Sequence, residues 1–294
     1  MLKISRRAIL KFGAIGSVAA ATRMPASPAL AASDPIHFAV GPFLPTPDDT
    51  KKEWEPMFMQ LSKAIGRPYT LVATSDWAGI SIALGSGRAD VAFVGPLGYE
   101  LAKREGHVVP LAVSLVNGSA TYRSIIVARK GLTISKFPED AKGLRMSFAD
   151  VGSTSGWLVP SYWFKSQGID PKTYFKYRDG NTHAANEVAV AAGQVDLATD
   201  NDRNRLIMIQ RGVIKAEDTT PVWTSEPIPN SLMAARGDLD PGLLKATKNA
   251  LLAIAPEAAK ASMPKNFTGW ADTTDADYAL IEKAGIALGA LKAV

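Results

Sequence analysis

Residues 144–167 read LRMSFADVGSTSGWLVPSYWFKSQ, and this stretch decides the fold. An apolar run at 144–149 predicts a buried strand, and the segment 157–167 predicts a helix. Residues 153–155, three consecutive hydroxyl side chains between two glycines, stand at the expected helix start. Unpaired backbone N–H groups and the positive end of the helix dipole favour a small anion at such a turn. Three hydroxyls exceed what one helix cap needs, so we predict a site for a phosphate-like oxyanion.

The segments that precede this stretch alternate between strand and helix patterns. Apolar runs at 36–40, 69–73 and 91–94 predict strands, and 50–65 predicts an amphipathic helix that ends at Gly66. Such alternation is typical of an α/β fold.

A pattern of helix, glycine, aspartate and strand occurs twice. The spacing from Trp77 to Asp90 equals the spacing from His183 to Asp196, and an apolar strand pattern follows each aspartate. Because this type of connection is common in α/β proteins, the repetition can be a coincidence. Otherwise it indicates two similar lobes, each of which presents a helix N-terminus at a shared cleft.

Two extended segments, 122–129 and 231–236, are placed where the chain could leave one lobe and return to it. The sequence Pro-Ile-Pro-Asn at 227–230 would stiffen the second crossing. We therefore predict a first lobe from 32–126 plus 234–294 and a second lobe from 127–233.

The N-terminus has the order of a twin-arginine (Tat) export signal. Arg6 and Arg7 precede an apolar stretch at 12–21, and Ala-Leu-Ala at 29–31 offers a cleavage site. We expect residues 1–31 to be removed near Ala31 and the mature protein to reach the periplasm. Residues 1–31 carry five basic and no acidic side chains, which accounts for the whole formal net charge of +5. The mature chain is then neutral, so its charge gives no reason to expect a nucleic-acid partner.

The composition also narrows the chemistry. The chain has no cysteine, which excludes disulfides and thiol catalysis. Its histidines, His37, His107 and His183, are scattered and do not form a metal-ligand motif. After the leader, no apolar run reaches the roughly 20 residues of a membrane helix. We expect neither a metal nor a cofactor.

Several segments, in the same order along nearly the whole mature chain, resemble one family. It is the group of periplasmic phosphate-, phosphite- and phosphonate-binding proteins of ABC transporters. The resemblance implies a type II periplasmic-binding fold, in which two α/β lobes joined by a two-strand hinge close on a ligand. It also implies an ABC permease in the inner membrane as partner, and we expect a monomer. The matching segments are Phe93-Val94-Gly95-Pro96-Leu97-Gly98-Tyr99, Phe148-Ala149-Asp150-Val151-Gly152-Ser153-Thr154-Ser155-Gly156, Trp223-Thr224-Ser225-Glu226-Pro227-Ile228-Pro229-Asn230, Phe267-Thr268-Gly269-Trp270 and Asp275-Ala276-Asp277-Tyr278.

The resemblance also implies a set of ligand-binding residues. In the family, the hydroxyl turn holds the oxyanion, and an aromatic helix tip, the tyrosine of a Gly-Pro-x-x-Tyr turn and a histidine of the other lobe complete the pocket. We add Asp200, which follows a predicted strand and either contacts ligand, bridges the lobes or caps the next helix. The predicted ligand-binding residues are Trp77, Tyr99, Ser153, Thr154, Ser155, His183 and Asp200.

Two departures from the family bear on the ligand. Trp77 stands where many members have tyrosine, and Ser231 stands where binders of aminoalkylphosphonates have an acidic residue. Asp200 or Asp202 could still supply the negative charge that an amine needs, but the simpler inference is a ligand without an amine, such as phosphite, phosphate or a small alkylphosphonate. An imidazolium at His183 would be favoured near an anion, so we expect affinity to rise as pH falls.

Three other functions remain to be distinguished. The site could bind a different oxyanion, such as sulfate or molybdate, or the protein could be a sensor that docks on a membrane receptor. A phosphoester hydrolase is the enzymatic alternative, because Ser, His and Asp occur in one expected cleft. However, the centre of Gly-Ser-Thr-Ser-Gly is Thr154, so it is not a Gly-x-Ser-x-Gly elbow, and no P-loop is present. We therefore expect a binding protein and no enzyme.

Overall fold

The computed structural model describes residues 34–44 and 46–293. The predicted export signal at 1–31 lies outside the described residues. Within them, no helix is both long and apolar enough to cross a membrane. The strands are β1 (Ile36–Val40), β2 (Tyr69–Ala73), β3 (Val91–Val94), β4 (Val108–Val116), β5 (Thr121–Tyr122), β6 (Ser124–Arg129), β7 (Arg145–Ala149), β8 (Lys176–Asn181), β9 (Leu197–Asn201), β10 (Thr219–Thr224), β11 (Ile228–Pro229), β12 (Leu232–Arg236) and β13 (Phe267–Ala271). The α-helices are α1 (Pro47–Ile65), α2 (Trp77–Gly85), α3 (Pro96–Glu105), α4 (Val159–Ser166), α5 (Pro171–Tyr174), α6 (His183–Ala191), α7 (Asp202–Gln210), α8 (Pro241–Leu252), α9 (Pro256–Ser262) and α10 (Ala279–Ala287).

The first lobe is built on a six-stranded sheet with the order β13-β4-β12-β3-β1-β2. β1 pairs in parallel with β2 and β3, and the later strands β12 and β13 join antiparallel. An aromatic cluster packs α1 on one face of this sheet, with the rings of Trp54 and Phe93 4.5 Å apart and those of Trp54 and Phe267 4.9 Å apart. Burial of these large rings supplies much of the apolar area that stabilises the lobe.

The second lobe is built on a five-stranded sheet with the order β10-β6-β9-β7-β8. β7 pairs in parallel with β8 and β9, so their carboxyl ends meet at the same edge. Phe148 on β7 and Phe164 on α4 are both fully buried and hold that helix against the sheet. This packing fixes the turn between β7 and α4 at the edge of the sheet that faces the first lobe.

The chain crosses between the lobes through a two-stranded ribbon, in which β5 pairs antiparallel with β11. This ribbon is the two-strand hinge of the expected fold. β6 joins the second sheet from Ser124 onward, and β12 joins the first sheet from Leu232 onward. The predicted lobe limits, 32–126 plus 234–294 and 127–233, therefore cut through these two strands, because sheet pairing switches a few residues before each limit.

The helix after β7 begins earlier than the sequence pattern indicated. A π-helical turn spans Thr154–Leu158 and continues into α4. The Oγ of Ser153 accepts a hydrogen bond from the Gly156 backbone N–H at 3.1 Å, so Ser153 caps this turn. The prediction of a start at 157 was wrong, because the chain is already helical from Thr154, where the Ser153 side chain caps the turn.

Candidate ligand-binding site

A cavity of about 70 Å³ lies between the two lobes. Its two sides differ in chemistry. The first lobe contributes mostly apolar groups, namely Pro42, Phe43, Leu44, Trp77, Gly95, Val116 and Phe267. The second lobe contributes mostly polar groups, namely Ser153, Thr154, Ser155, Thr182, His183, Ala184, Asn201, Arg203, Asn204 and Ile207, and the connecting segments add Tyr122 and Ser231.

The hydroxyl turn forms the floor of the cavity on the second lobe. Ser153, Thr154 and Ser155 are each at least 97% buried, and all three line the cavity. The Oγ of Ser153 lies 2.9 Å from Nε2 of His183, and it also caps the helix. Gly156 is required here, since a Cβ would lie 2.8 Å from Cε1 of His183. The absence of a side chain at Gly156 therefore allows His183 to approach the hydroxyl turn.

Thr154 and Ser155 connect the turn to its surroundings. The Oγ1 of Thr154 accepts a hydrogen bond from the backbone N–H of Leu97, at the start of α3 in the first lobe, at 2.8 Å. The carbonyl of Ser155 accepts from the Ser124 hydroxyl at 2.6 Å. Thr154 therefore bridges the two lobes, and its own O–H proton is left for an acceptor in the cavity.

His183 begins α6, and the Oγ1 of Thr182 caps that helix by accepting from the Ala185 N–H at 3.1 Å. Burial, and next the positive charge of Arg203, lower the pKa of His183 to about 4. The imidazole is therefore neutral near pH 7. Without a ligand, desolvation outweighs the carboxylates that favour the imidazolium; a rise of affinity with falling pH, which depends on the charge of a bound anion, stays a prediction.

Asp200 lies behind His183 and does not line the cavity. Its Oδ1 is 2.9 Å from Nδ1 of His183, without the alignment of a hydrogen bond, and its Oδ2 accepts from Asn204 Nδ2 at 2.9 Å. Burial raises the pKa of Asp200 to about 7 and that of the neighbouring Glu187 to about 9. The structure thus places Asp200 next to His183 and not among the residues that line the cavity; a contact with ligand stays a prediction.

Tyr99 is directed away from the cavity. Its hydroxyl donates a hydrogen bond to Asp275, and its ring packs 5.2 Å from the ring of Tyr278. It lies one turn into α3, so its side chain extends to the C-terminal segment, whereas Gly95 at the start of the same turn lines the cavity. The structure therefore does not bring Tyr99 to the cavity with the other predicted residues, and a contact between Tyr99 and a ligand stays a prediction.

Trp77 is the first residue of α2, which Asp76 caps by accepting from the Gly79 N–H at 2.6 Å. The indole ring is 92% buried and lines the cavity. Its Nε1 is buried with no hydrogen-bond partner among the described residues. The donor that distinguishes tryptophan from tyrosine at this position is thus available.

Arg203 and Tyr122 were missed by the sequence reasoning. The guanidinium carbon of Arg203 lies 4.0 Å from the centre of the Tyr122 ring, and both residues line the cavity. Nε and Nη1 of Arg203 are buried without a hydrogen-bond partner in the part of the chain that the structure describes. The available signal was a cation directly after β9, in a segment where only the aspartates were considered.

Four described helical starts converge on this cavity: α2 with Trp77, the π-helical turn with Thr154, α6 with His183 and α7 with Arg203. Each helix N-terminus carries a partial positive charge, and the caps described above satisfy only some of the N–H groups of its first turn. Their convergence makes the cavity favourable for an anion. The repeated pattern of helix, glycine, aspartate and strand predicted that each lobe presents a helix N-terminus at a shared cleft. The structure has this arrangement, because Trp77 and His183 line one cavity from opposite lobes.

Contacts across the cleft show that the lobes are closed. The Oδ1 of Asp150 accepts from the Gly152 N–H at 2.9 Å and from the Trp77 N–H of the opposite lobe at 3.2 Å. Farther out, Arg211 and Glu53 form an ion pair at 2.7 Å. The hydrogen bond from Leu97 to Thr154 belongs to the same set of contacts.

Two α/β lobes, a two-strand hinge and a donor-lined cavity between the lobes define a periplasmic binding protein. The profile of the family described as "ABC transporter, phosphonate, periplasmic substrate-binding protein" matches residues 41–278, and the chain belongs to this family.

Relatives and solved structures agree with this assignment. The chain is 29% identical over 212 residues to the phosphate-import protein PhnD of Mycolicibacterium smegmatis, and 28% identical over 193 residues to the phosphonates-binding periplasmic protein of Escherichia coli. These matches cover 68% and 64% of this chain, and 66% and 57% of the relatives. The chain thus matches less than two thirds of the length of either relative.

Two solved structures have a TM-score of 0.77 to this fold. One is a binding-protein component of an ABC phosphonate transporter from Pseudomonas aeruginosa, with 25% identity and coverage of 86% of this chain and 85% of that chain. The other is PhnD1 from Prochlorococcus marinus in complex with methylphosphonate, with 19% identity and coverage of 87% and 98%. At 19% identity, the similarity to the Prochlorococcus marinus structure shows a shared fold only.

Proposed function

We propose that the protein is the extracytoplasmic substrate-binding component of an ABC importer and captures a small phosphorus oxyanion between its lobes. The candidate ligands are phosphite, phosphate and a small alkylphosphonate. The observation that carries the proposal is the convergence of four helical starts and the unpaired donors of Trp77 and Arg203 on one closed cavity. Such donors favour an anion over a neutral ligand.

The size and the two-sided chemistry of the cavity support a small ligand. A water molecule needs roughly 10–15 Å³ measured in this way, so about 70 Å³ holds about five non-hydrogen atoms. Phosphate, phosphite and methylphosphonate are of this size. The apolar side formed by residues such as Phe43, Leu44 and Val116 suits a P–H or P–CH₃ substituent, because an oxygen there would lose its hydrogen bonds with water.

Binding follows from the contacts across the cleft. In an open form the cavity is exposed, and the ligand first meets the polar second lobe. Closure then brings Trp77 against the ligand and forms the bonds of Asp150 and Thr154 to first-lobe N–H groups. Water is excluded, which strengthens each hydrogen bond to the anion. The closed pair of lobes presents the surface that the permease recognises.

A hydrolase is the second candidate function, because a serine, a histidine and an aspartate lie next to one another near the cavity. Details of their contacts nevertheless argue against catalysis. Ser153, His183 and Asp200 stand in the order of a catalytic triad. However, the Ser153 hydroxyl oxygen already caps the helix, and the His183–Asp200 contact lacks hydrogen-bond alignment. The raised pKa of Asp200 also weakens its ability to stabilise an imidazolium. We therefore propose binding without turnover, and no release of phosphate from p-nitrophenyl phosphate is the expected result.

A titration of the mature protein by calorimetry tests the proposal. The panel is phosphite, phosphate, methylphosphonate, 2-aminoethylphosphonate, sulfate and molybdate. Micromolar or tighter binding of one phosphorus oxyanion is expected. Binding of sulfate or molybdate alone would identify a different oxyanion carrier. Loss of uptake of the bound compound in cells without the protein would separate transport from sensing.

A further inference from the structure

We infer that Arg203 selects the charge of the ligand: it pairs with the second negative charge of a phosphorus oxyanion, so that the site prefers the dianion and disfavours a ligand that carries an ammonium group. This inference rests on the proposed function. The inference goes beyond the proposed function because it names the residue that distinguishes between ligands and the ligand charge state that this residue prefers.

The position of Arg203 supports this role. It is the second residue of α7, and it lies between the cavity that Ser153 and His183 line and a surface groove that Asp202 lines. The Tyr122 ring lies 4.0 Å from its guanidinium carbon and provides a flat support for the planar group. This stacking uses the face of the guanidinium and leaves its N–H edges free for an acceptor.

The N–H edges have no acceptor in the described protein. Nε and Nη1 are buried without a hydrogen-bond partner. The carboxylate of the adjacent Asp202 forms no hydrogen bond with these two nitrogen atoms; its Oδ1 accepts from the backbone N–H of Arg123 at 3.1 Å, and it acts on Arg203 only through its charge. The side chain as a whole is partly exposed, but buried N–H groups without an acceptor cost free energy, and an anion in the cavity would remove that cost.

No other full charge faces the cavity from the described lining residues. His183 is neutral, because burial and Arg203 lower its pKa to about 4. Asp200 and Glu187 lie behind it, and Asp150 is turned towards the α2 N-terminus. Neutral hydroxyl and N–H donors also bind a dianion more strongly than a monoanion. A full positive charge adds more to this difference than a dipole does, so we expect Arg203 to contribute the largest single share of the preference for the dianion.

The test compares Arg203→Gln and Arg203→Lys with the wild type by calorimetry with methylphosphonate between about pH 6 and pH 8, across the second dissociation of a phosphoryl group. Arg88→Gln is the matched control, since Arg88 is exposed and bonds only to Ser86 among the described residues. It removes the same charge outside the cavity. Circular dichroism and Tm establish that each variant is folded.

We expect Arg203→Gln to weaken binding by roughly 10- to 100-fold at about pH 8 and by clearly less at about pH 6. Asp200, with a pKa that burial raises to about 7, titrates in the same range in both proteins. Because Arg203 also lowers the pKa of His183, the comparison is repeated in a His183→Gln background, where the imidazole cannot contribute to the difference between the two profiles. Arg203→Lys should fall between them, and Arg88→Gln should match the wild type. The preference of the wild type for methylphosphonate over 2-aminoethylphosphonate should shrink in Arg203→Gln.

Two results would overturn the inference: wild-type affinity in folded Arg203→Gln, or an equal loss at every pH and for both ligands. Either would leave the proposed function in place, because the wild type would still bind a phosphorus oxyanion. If the wild type binds none of these compounds, the proposed function itself fails.

Discussion

Gly152 offers the sharpest perturbation of closure, because its backbone lies against the opposite lobe. A Cβ at this position would lie 2.5 Å from the Ala78 nitrogen and 2.7 Å from the Trp77 carbonyl carbon. Ordinary van der Waals contact begins at 3.4 Å, so the closed lobes would have to separate by roughly 1 Å here. The φ angle of Gly152 lies outside the left-handed region, so alanine adds no backbone strain to the second lobe itself.

We therefore expect Gly152→Ala to penalise only the closed form. Overpacking of this kind costs about 1–3 kcal/mol, which corresponds to a loss of ligand affinity of roughly 5- to 150-fold. Calorimetry with methylphosphonate measures the loss. Small-angle scattering measures whether the ligand still reduces the radius of gyration.

Val151→Ala is the matched control, since Val151 is 49% exposed in the same turn and its truncation introduces no clash. The reasoning is refuted if Gly152→Ala binds as tightly as the wild type. A fall in the Tm of the ligand-free protein that matches the loss of affinity would instead show that the lobes are closed before the ligand binds.

Three further predictions follow from particular contacts. Thr154→Ala should weaken ligand binding by more than about 1 kcal/mol, since the Leu97 N–H loses its acceptor. Thr154→Ser keeps the hydroxyl and should bind like the wild type. Equal affinities of Thr154→Ala and the wild type by calorimetry would show that the Thr154 hydroxyl does not contribute to binding. Burial raises the pKa of Glu187 to about 9 from 4.5, so the fold retains a proton that the unfolded chain loses, and stability falls as pH rises between these values. The gain in Tm of Glu187→Gln over the wild type should then grow from about pH 5 to pH 8, and a constant gain would contradict this. Arg211→Ala should change ligand affinity by less than about fivefold, because ion pairs at the surface contribute about 0–1 kcal/mol; a larger loss by calorimetry would make the pair with Glu53 a true closure contact.

The parts of the site that were predictable depend on local sequence. The hydroxyl turn and the helix starts at Trp77 and His183 follow from strand-to-helix patterns over a few residues, and the structure places all of them at one cavity. The α/β fold followed from the same periodicity and from the resemblance.

The parts that were missed depend on contacts between distant segments. The direction of Tyr99 is set by Asp275 near the C-terminus, and the orientation of Arg203 on α7 is set by the ring of Tyr122 on β5. The neutral state of His183 arises from burial that only the assembled lobes provide. None of these effects has a local pattern.

The most direct test is a crystal structure of the mature protein grown with methylphosphonate. We expect the phosphonate oxygens within hydrogen-bond distance of Ser153, Thr154 and Ser155 and of the Arg203 guanidinium, with the methyl group towards Phe43 and Leu44. Closed lobes with the ligand bound elsewhere, or a methyl group directed at the hydroxyl turn, would contradict the proposed binding of a phosphorus oxyanion at this site.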